Sequence, residues 1–425
     1  MQEKSSFPIT DLPNFKLKLL QWAQQFEVAI CLDSHDSDSP HRRLDYLVAV
    51  DAIRTLDVHD EAKQFEALKQ FQEEAQDKIF GYISYDVKNQ IENLHSDNRD
   101  ELNFPSMYFF EPRYVFEIKG GQCAVNRSTL EALHLLDLIE QQAIESDDCN
   151  QDLDWETHIS KEEYLKSVKE IQQHIINGDV YELNFCRELS CYPKEFNALH
   201  VFNRINAKAK APFSAFLQFG HRFVLSFSPE RFIQHENGKL LSQPIKGTVG
   251  KGQNAAENQE LKQVLLNDEK ERAENVMIVD LVRNDFARSA IPGTVKVDEL
   301  FGIYEFENII QMISTVSATC RKDIHPLEAL KNAFPMGSMT GAPKIRAMQL
   351  IEDFEVNKRG VYSGALGYID ANGNYDFNVL IRTLLYDADK KYLSLHVGGA
   401  ITYDSIPEKE WNESELKAKS ILNFL

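Results

Sequence analysis

The sequence has no apolar run long enough to cross a bilayer. Its opening, Met1-Gln2-Glu3-Lys4-Ser5-Ser6, lacks the apolar core of a signal peptide. A cytoplasmic location and no membrane partner are therefore expected. Basic charge is also short: 46 lysines and arginines face 66 aspartates and glutamates, for a net charge of −20. That imbalance argues against nucleic acid as a partner, and an anionic substrate must be met by a local positive site working against the overall field. The six cysteines, Cys31, Cys123, Cys149, Cys186, Cys191 and Cys320, have no metal-type pair spacing. In a reducing compartment they read as small buried hydrophobes. No internal repeat or low-complexity tract interrupts the chain.

What remains is an ordinary globular composition, 43% hydrophobic and 26% charged over 425 residues, enough for one large core or two to three domains. Residues 1–145 read as a first α/β portion, with strands at 44–50, 79–85 and 107–116 and a charged helix at 61–75. Between Glu145 and Glu156 the chain turns acidic and polar, as in Glu145-Ser146-Asp147-Asp148-Cys149-Asn150, and reads as a linker. The expected division is therefore an N-terminal portion, 1–150, and a second domain, 151–425. That domain opens on a capping box, Ser160-Lys161-Glu162-Glu163, heading a helix with Leu165, Val168, Ile171 and Ile175 on one face. Strands are expected at 180–189, 213–219, 222–227, 309–318, 362–369, 375–385 and 392–397, with long helices at 254–279 and 408–425.

One short stretch stands at the centre. An apolar run at 231–235, an Asn237-Gly238 turn signal and a second run at 239–242 make a hairpin. Pro244, lacking an N–H, then stops the ladder. Lys246 follows on a turn before Gly247, where backbone N–H groups can approach an anion. Either this is a surface lysine in a loop, or it is held among apolar neighbours, loses proton affinity and acts as a nucleophile. Arg382, in an alternating apolar strand, is either half of a structural ion pair or a bidentate carboxylate clamp. Gly398-Gly399 ends the next strand and leaves bare backbone near it. Glu274 and Glu413, on separate helices, are either solvated charges or a magnesium-holding pair. The small-residue turn around Ser338 precedes a helix and suits a tight pocket.

Several stretches in register resemble the chorismate-utilising family. They are Asp280-Leu281-Val282-Arg283-Asn284-Asp285, residues 337–344, Tyr362-Ser363-Gly364-Ala365-Leu366-Gly367-Tyr368, Ile381-Arg382-Thr383 and Gly398-Gly399. The family includes anthranilate synthase and aminodeoxychorismate synthase large subunits and isochorismate and salicylate synthases. The match covers about 155–425, and more loosely 1–145. It implies an α+β fold like that of anthranilate synthase component I, a large two-sheet β-sandwich-like core with helices packed outside. Pro244-Ile245-Lys246-Gly247-Thr248 resembles the aminodeoxychorismate branch, where anthranilate synthases are similar but carry alanine at the lysine. The implied reaction is amination of chorismate at C4 to 4-amino-4-deoxychorismate. Lys246 is implied as covalent nucleophile and Glu230 as general acid/base, with Mg2+ on Glu274 and Glu413. Gly247 and Thr248 would hold the ring carboxylate; Tyr362, Arg382, Gly398 and Gly399 the enolpyruvyl carboxylate; Ser338 another substrate contact. No glutaminase portion is recognisable, so a separate glutaminase subunit is the implied partner.

Two positions depart from the family pattern: Glu182 stands where aminating relatives have glutamine and water-activating ones lysine, and Gln311 lies where histidine is common. Tryptophan binding is not implied, because the relevant pattern survives only as Cys31-Leu32-Asp33-Ser34. The rival readings are anthranilate synthase component I and a non-catalytic chorismate-binding subunit that stabilises a glutaminase.

Overall fold

The computed structural model describes residues 4–35, 41–59, 63–144 and 153–425. Most of the expected linker, residues 145–152, the sequence opening 1–3 and Cys149 lie outside these.

Strand Met107–Lys119 is the hub of an antiparallel ladder. One edge pairs with Tyr46–Val58 along its length; the other pairs with Ile79–Ile83 at one end and Gln122–Val125 at the other. From the Tyr46–Val58 side the ladder runs through Val28–Asp33, Phe213–Phe219, Arg222–Ser228, Thr383–Asp387 and Tyr392–Ile401 to Glu182–Cys191. From the Ile79–Ile83 side it runs through Ala365–Ile369, Tyr375–Val379, Arg231–Glu236 and Lys239–Gln243 to Ile309–Thr319. That last strand also holds Ile245–Gly250 and Lys296–Glu305.

Alternation along the strands decides how the ladder folds. In Ile79–Ile83, Phe80 and Tyr82 point to one core and Ile79 and Ile83 to another. Phe80, Tyr82 and Leu366 from one arm share their core with Ala215, Leu217, Val224 and Leu385 from the other. The ladder is thus doubled back into two face-to-face layers. Helices Leu12–Ala23, Thr129–Glu140, Ala198–Ala209 and Pro407–Leu422 bury apolar faces on the outside of the first layer. Gln64–Glu73, Glu269–Ala287 and Pro326–Ala333 do so on the second. Each fully buried Leu, Ile or Phe here contributes about 1.5–3 kcal/mol of hydrophobic stabilisation. The fold is α+β, as the resemblance implied.

The expected hairpin forms as Arg231–Glu236 and Lys239–Gln243, with Asn237 and Gly238 at positive φ. The Ser160 capping box is closed in both directions on helix Lys161–Ile176. Three local expectations are corrected. The helix expected at 254–279 is two, Ala255–Asn267 and Glu269–Ala287, because extended Asp268 caps the second by accepting the Glu271 N–H. The strand expected at 375–385 breaks between Val379 and Thr383, with Arg382 at φ +51°. Gly398-Gly399 does not end its strand, which runs on to Ile401 because its partner Glu182–Cys191 pairs with it throughout.

Candidate active site

The free ends of the two layers meet, and Lys246 joins them. It lies on strand Ile245–Gly250 rather than on a turn, at a register shift between Ile245 and Thr248 where Gly247 takes φ +86°. A bulge of this kind re-aims a side chain that a regular ladder would direct elsewhere. Lys246 Nζ donates to Glu182 Oε1 at 2.8 Å, on the far layer's last strand, and to Glu274 Oε2 at 3.4 Å, on helix Glu269–Ala287. The expectation of apolar surroundings and reduced proton affinity is overturned. Burial does push the ammonium toward losing its proton, but Glu182 and Glu274 outweigh it and hold Lys246 above the ordinary lysine range. Glu182 is 2% exposed, and its partnership spans 64 residues of sequence, beyond the reach of local pattern.

Glu230 sits between strands Arg222–Ser228 and Arg231–Glu236, its N–H donating to Ser228 Oγ at 3.2 Å. Burial pushes its carboxyl up to about 7, against the opposing pull of the Ser338 hydroxyl, the Lys246 ammonium and the Ile245 backbone. A carboxyl poised there can donate or accept a proton near neutrality. Ser338, in the single 3₁₀ turn Gly337–Met339, therefore faces the same space as Glu230 and Lys246.

The two helical glutamates face one another across a mixed-charge cluster. Lys270 Nζ lies 3.7 Å from Glu274 Oε1 and 3.8 Å from Glu410 Oε1, one turn before Glu413 on helix Pro407–Leu422. Glu413 Oε1 pairs with Lys417 Nζ at 2.8 Å, and that ammonium also donates to the Gly398 carbonyl at 2.8 Å. Burial raises Glu410, whereas for Glu413 it is outweighed by Lys417, Lys270 and Lys246, leaving this carboxyl below its usual range. Among the described residues no three His, Cys, Asp or Glu form a ready ligand set. The oxygens of Glu274 and Glu413 are nonetheless hard donors, and magnesium is commonly held by one or two carboxylates plus substrate and water. The donor set fits that ion. Glu410 and Lys270 were not singled out in the sequence; their helical spacing from Glu413 and Glu274 was the available signal.

Gly398 and Gly399 bring backbone to this cluster. A Cβ at Gly398 would stand 2.4 Å from Cys186 Sγ and 2.6 Å from the Phe185 carbonyl oxygen, so only glycine fits. A Cβ at Gly399 would lie 3.7 Å from Glu410 Oε2, Glu413 Oε1 and Lys417 Nζ. Tyr362 is buried, its ring stacked on His396 at 5.1 Å, and its hydroxyl is 3.9 Å from the Cys186 thiol. Thr248 Oγ1 accepts from Gln311 Nε2 at 3.2 Å. Arg382 forms no hydrogen bond or ion pair with any of these groups. Its guanidinium has no anionic partner among the described residues, and burial lowers its proton affinity. The structural ion pair weighed for it is absent among the described residues.

Behind the site, Arg359 is 2% exposed and bound bidentately to Glu355, at 2.9 and 2.6 Å. It also donates to the carbonyls of Met339 at 2.5 Å and Asn184 at 2.8 Å. Glu355 Oε1 in turn accepts the Cys186 N–H at 2.8 Å. One ion pair thus ties the Ser338 turn to the strand that carries Glu182.

A family model described as chorismate binding enzyme matches residues 28–423. The chain belongs to that family. Among the relatives of this chain is aminodeoxychorismate synthase component 1 of Escherichia coli strain K12, 33% identical over 81% of this chain and 76% of its own length. The protein of the same name from Salmonella typhimurium is 39% identical over 64% of this chain, a stretch spanning 59% of that relative. Anthranilate synthase component 1 of Acetivibrio thermocellus is 31% identical over 81% of this chain and 74% of its own length. The crystal structure of anthranilate synthase component I from Streptococcus pneumoniae TIGR4 superposes with a TM-score of 0.80, at 27% identity over 90% of this chain and 93% of that one.

Proposed function

We propose that this chorismate-binding chain aminates chorismate at C4, giving 4-amino-4-deoxychorismate, with ammonia supplied by a separate glutaminase subunit. The observation that carries the reading is Lys246, whose Nζ sits among carboxylates beside the near-neutral acid Glu230. The relatives named aminodeoxychorismate synthase component 1 support the same choice.

Chorismate is a dianion, and this site offers its two carboxylates separate holds. Gly247 and Thr248 would take the ring carboxylate, and Tyr362, Arg382, Gly398 and Gly399 the enolpyruvyl carboxylate, with Ser338 at the ring. Glu182, 2.8 Å from Lys246 Nζ, is placed to take its proton. The free amine then forms a bond to C2, both ring double bonds shift toward C4, and the C4–O bond breaks. Glu230 gives its proton to the departing hydroxyl, which leaves as water. Ammonia bonds to C4, the double bonds shift back, and the C2–N bond breaks to release Lys246, which recovers its proton from Glu182. Glu230 recovers its own from the new ammonium. Covalent catalysis of this type divides one hard substitution into two easier ones. Glu274 and Glu413 would hold Mg2+, which supplies positive charge to balance the substrate's carboxylate.

The test is to incubate the purified chain with chorismate, Mg2+ and ammonium chloride and identify the product by mass spectrometry. 4-Amino-4-deoxychorismate is expected. Anthranilate with pyruvate would make the chain an anthranilate synthase, and chorismate binding without any product would make it a non-catalytic subunit. Glutamine is expected to replace ammonium only when a glutaminase subunit is added.

A further inference from the structure

Behind the Tyr362 ring lies a second cavity of about 330 Å3, lined by residues from the 84–106 segment, by 358–361, and by Glu188 and His396. His396 lines this cavity and stacks on the Tyr362 ring at 5.1 Å. Its lining holds several buried polar atoms without partners, one of them a carboxylate oxygen that can only accept. Ser84 Oγ, Asp86 Oδ1 and His396 Nε2 are buried without a hydrogen-bond partner among the described residues, and Ser84 and His396 are only 2% and 5% exposed. The other Asp86 oxygen accepts the Gly360 N–H at 3.0 Å, which fixes the orientation of the carboxylate. Glu188 Oε1 is taken by the hydroxyls of Tyr392 and Ser394, at 3.0 and 2.6 Å, whereas Oε2 has His158 Nε2 at 3.9 Å.

Four carboxylates, Asp86, Asp100, Glu101 and Glu188, line this one cavity. Positive groups line it too, but most are already engaged: Arg359 with Glu355 and two backbone carbonyls, and Arg99 with Glu101. Lys358 remains on the 358–361 side. A buried acceptor without a donor costs about 1–3 kcal/mol. Water supplies two donors and no charge. A cation with three or four N–H donors satisfies several acceptors at once and balances the carboxylates.

We infer that this cavity binds a protonated primary amine, either the ammonium ion itself or the ammonium group of a small amino acid whose carboxylate meets Lys358. Resting on the amination reading, the site would hold the nitrogen source on the side of His396 away from the stacked Tyr362 ring.

The full chain is titrated at constant ionic strength with ammonium chloride, potassium chloride, glycine or L-glutamine, and thermal unfolding is followed. A saturable rise in Tm is expected with ammonium or with an amino acid, and none with potassium, which has the charge and size but no N–H. Response to ammonium alone identifies the free ion; response to glycine or glutamine alone identifies the amino acid. Asp86→Asn keeps an acceptor for Gly360 and turns the unpartnered oxygen into a donor, so the apparent Kd should rise at least tenfold. Ser84→Ala, a milder change, should weaken binding in the same direction, and chorismate binding should be unchanged in both. Equal effects of potassium, retention of affinity in both variants, or no saturable response overturns the inference. Formation of anthranilate in the product assay would refute the amination reading and leave this result standing.

Discussion

Removing Arg359 tests whether the candidate site is held in shape by the ion pair behind it. Arg359 and Glu355 are 2% and 6% exposed, and four described donor contacts at 2.9 Å or less leave the guanidinium toward Glu355, Met339 and Asn184. Arg359→Ala strands Glu355 as a buried charge, which costs about 3–5 kcal/mol. The carbonyls of Met339 and Asn184 also lose their donors, at about 1 kcal/mol each, so a loss of about 5–7 kcal/mol is expected. That is a large part of the 5–15 kcal/mol typical of a folded domain. Arg359→Met combined with Glu355→Gln removes both charges and keeps an acceptor for the Cys186 N–H, so most of the loss should be recovered. The assay is urea unfolding of wild type, Arg359→Ala, the singles Arg359→Met and Glu355→Gln and their double variant, followed by fluorescence and circular dichroism to confirm coincident transitions. A single-variant cost below about 1.5 kcal/mol, or a double-mutant cycle showing no coupling, would refute the reasoning.

Three further outcomes are expected. Glu230→Gln should lower kcat by about 10²–10⁴-fold, the usual contribution of a positioned acid. The folded carboxyl keeps its proton to about 7 while an unfolded one ionises near 4.5, so this group costs wild type stability as pH rises between these values, and the glutamine variant, measured by thermal unfolding at pH 4 and pH 8, should lose less than wild type. Lys246→Ala should abolish 4-amination in the product assay and destabilise the chain by about 3–5 kcal/mol, since Glu182 loses its only described cation and Glu274 keeps only Lys270. Gly398→Ala drives a methyl into Cys186 Sγ and the Phe185 carbonyl, so the strands must separate; a cost of about 1–3 kcal/mol in urea unfolding and a higher KM for chorismate are expected.

The hairpin ending at Pro244 and the Ser160 capping box were legible because turn chemistry and capping are local. The split at Asp268 was legible in principle, since Asp268 followed three residues later by Glu271 is itself a cap signal, but helical periodicity carried the reading past it. Lys246 was found from its motif, yet its electrostatic setting was misjudged. Sequence placed it among its neighbours in the chain, whereas its charge partners come from another layer and from a helix 28 residues away. Arg382 was read as part of a continuous strand because alternation does not register a single residue at positive φ. The Arg359 to Glu355 pair left no signal beyond an i, i+4 spacing common to surface helices.

The doubling-back of the ladder has a consequence for how activity is acquired. Val28–Asp33, Tyr46–Val58 and Ile79–Ile83 hold none of the site's side chains, yet they are the middle rungs connecting the two halves. A truncated chain lacking them would keep every reacting group and lose the hinge that brings Glu182 opposite Lys246. Such long-separated pairings also close late in folding, because loop-closure entropy must be met before they form. Turnover should therefore return as the final event when the protein is refolded, well after its helices have reformed.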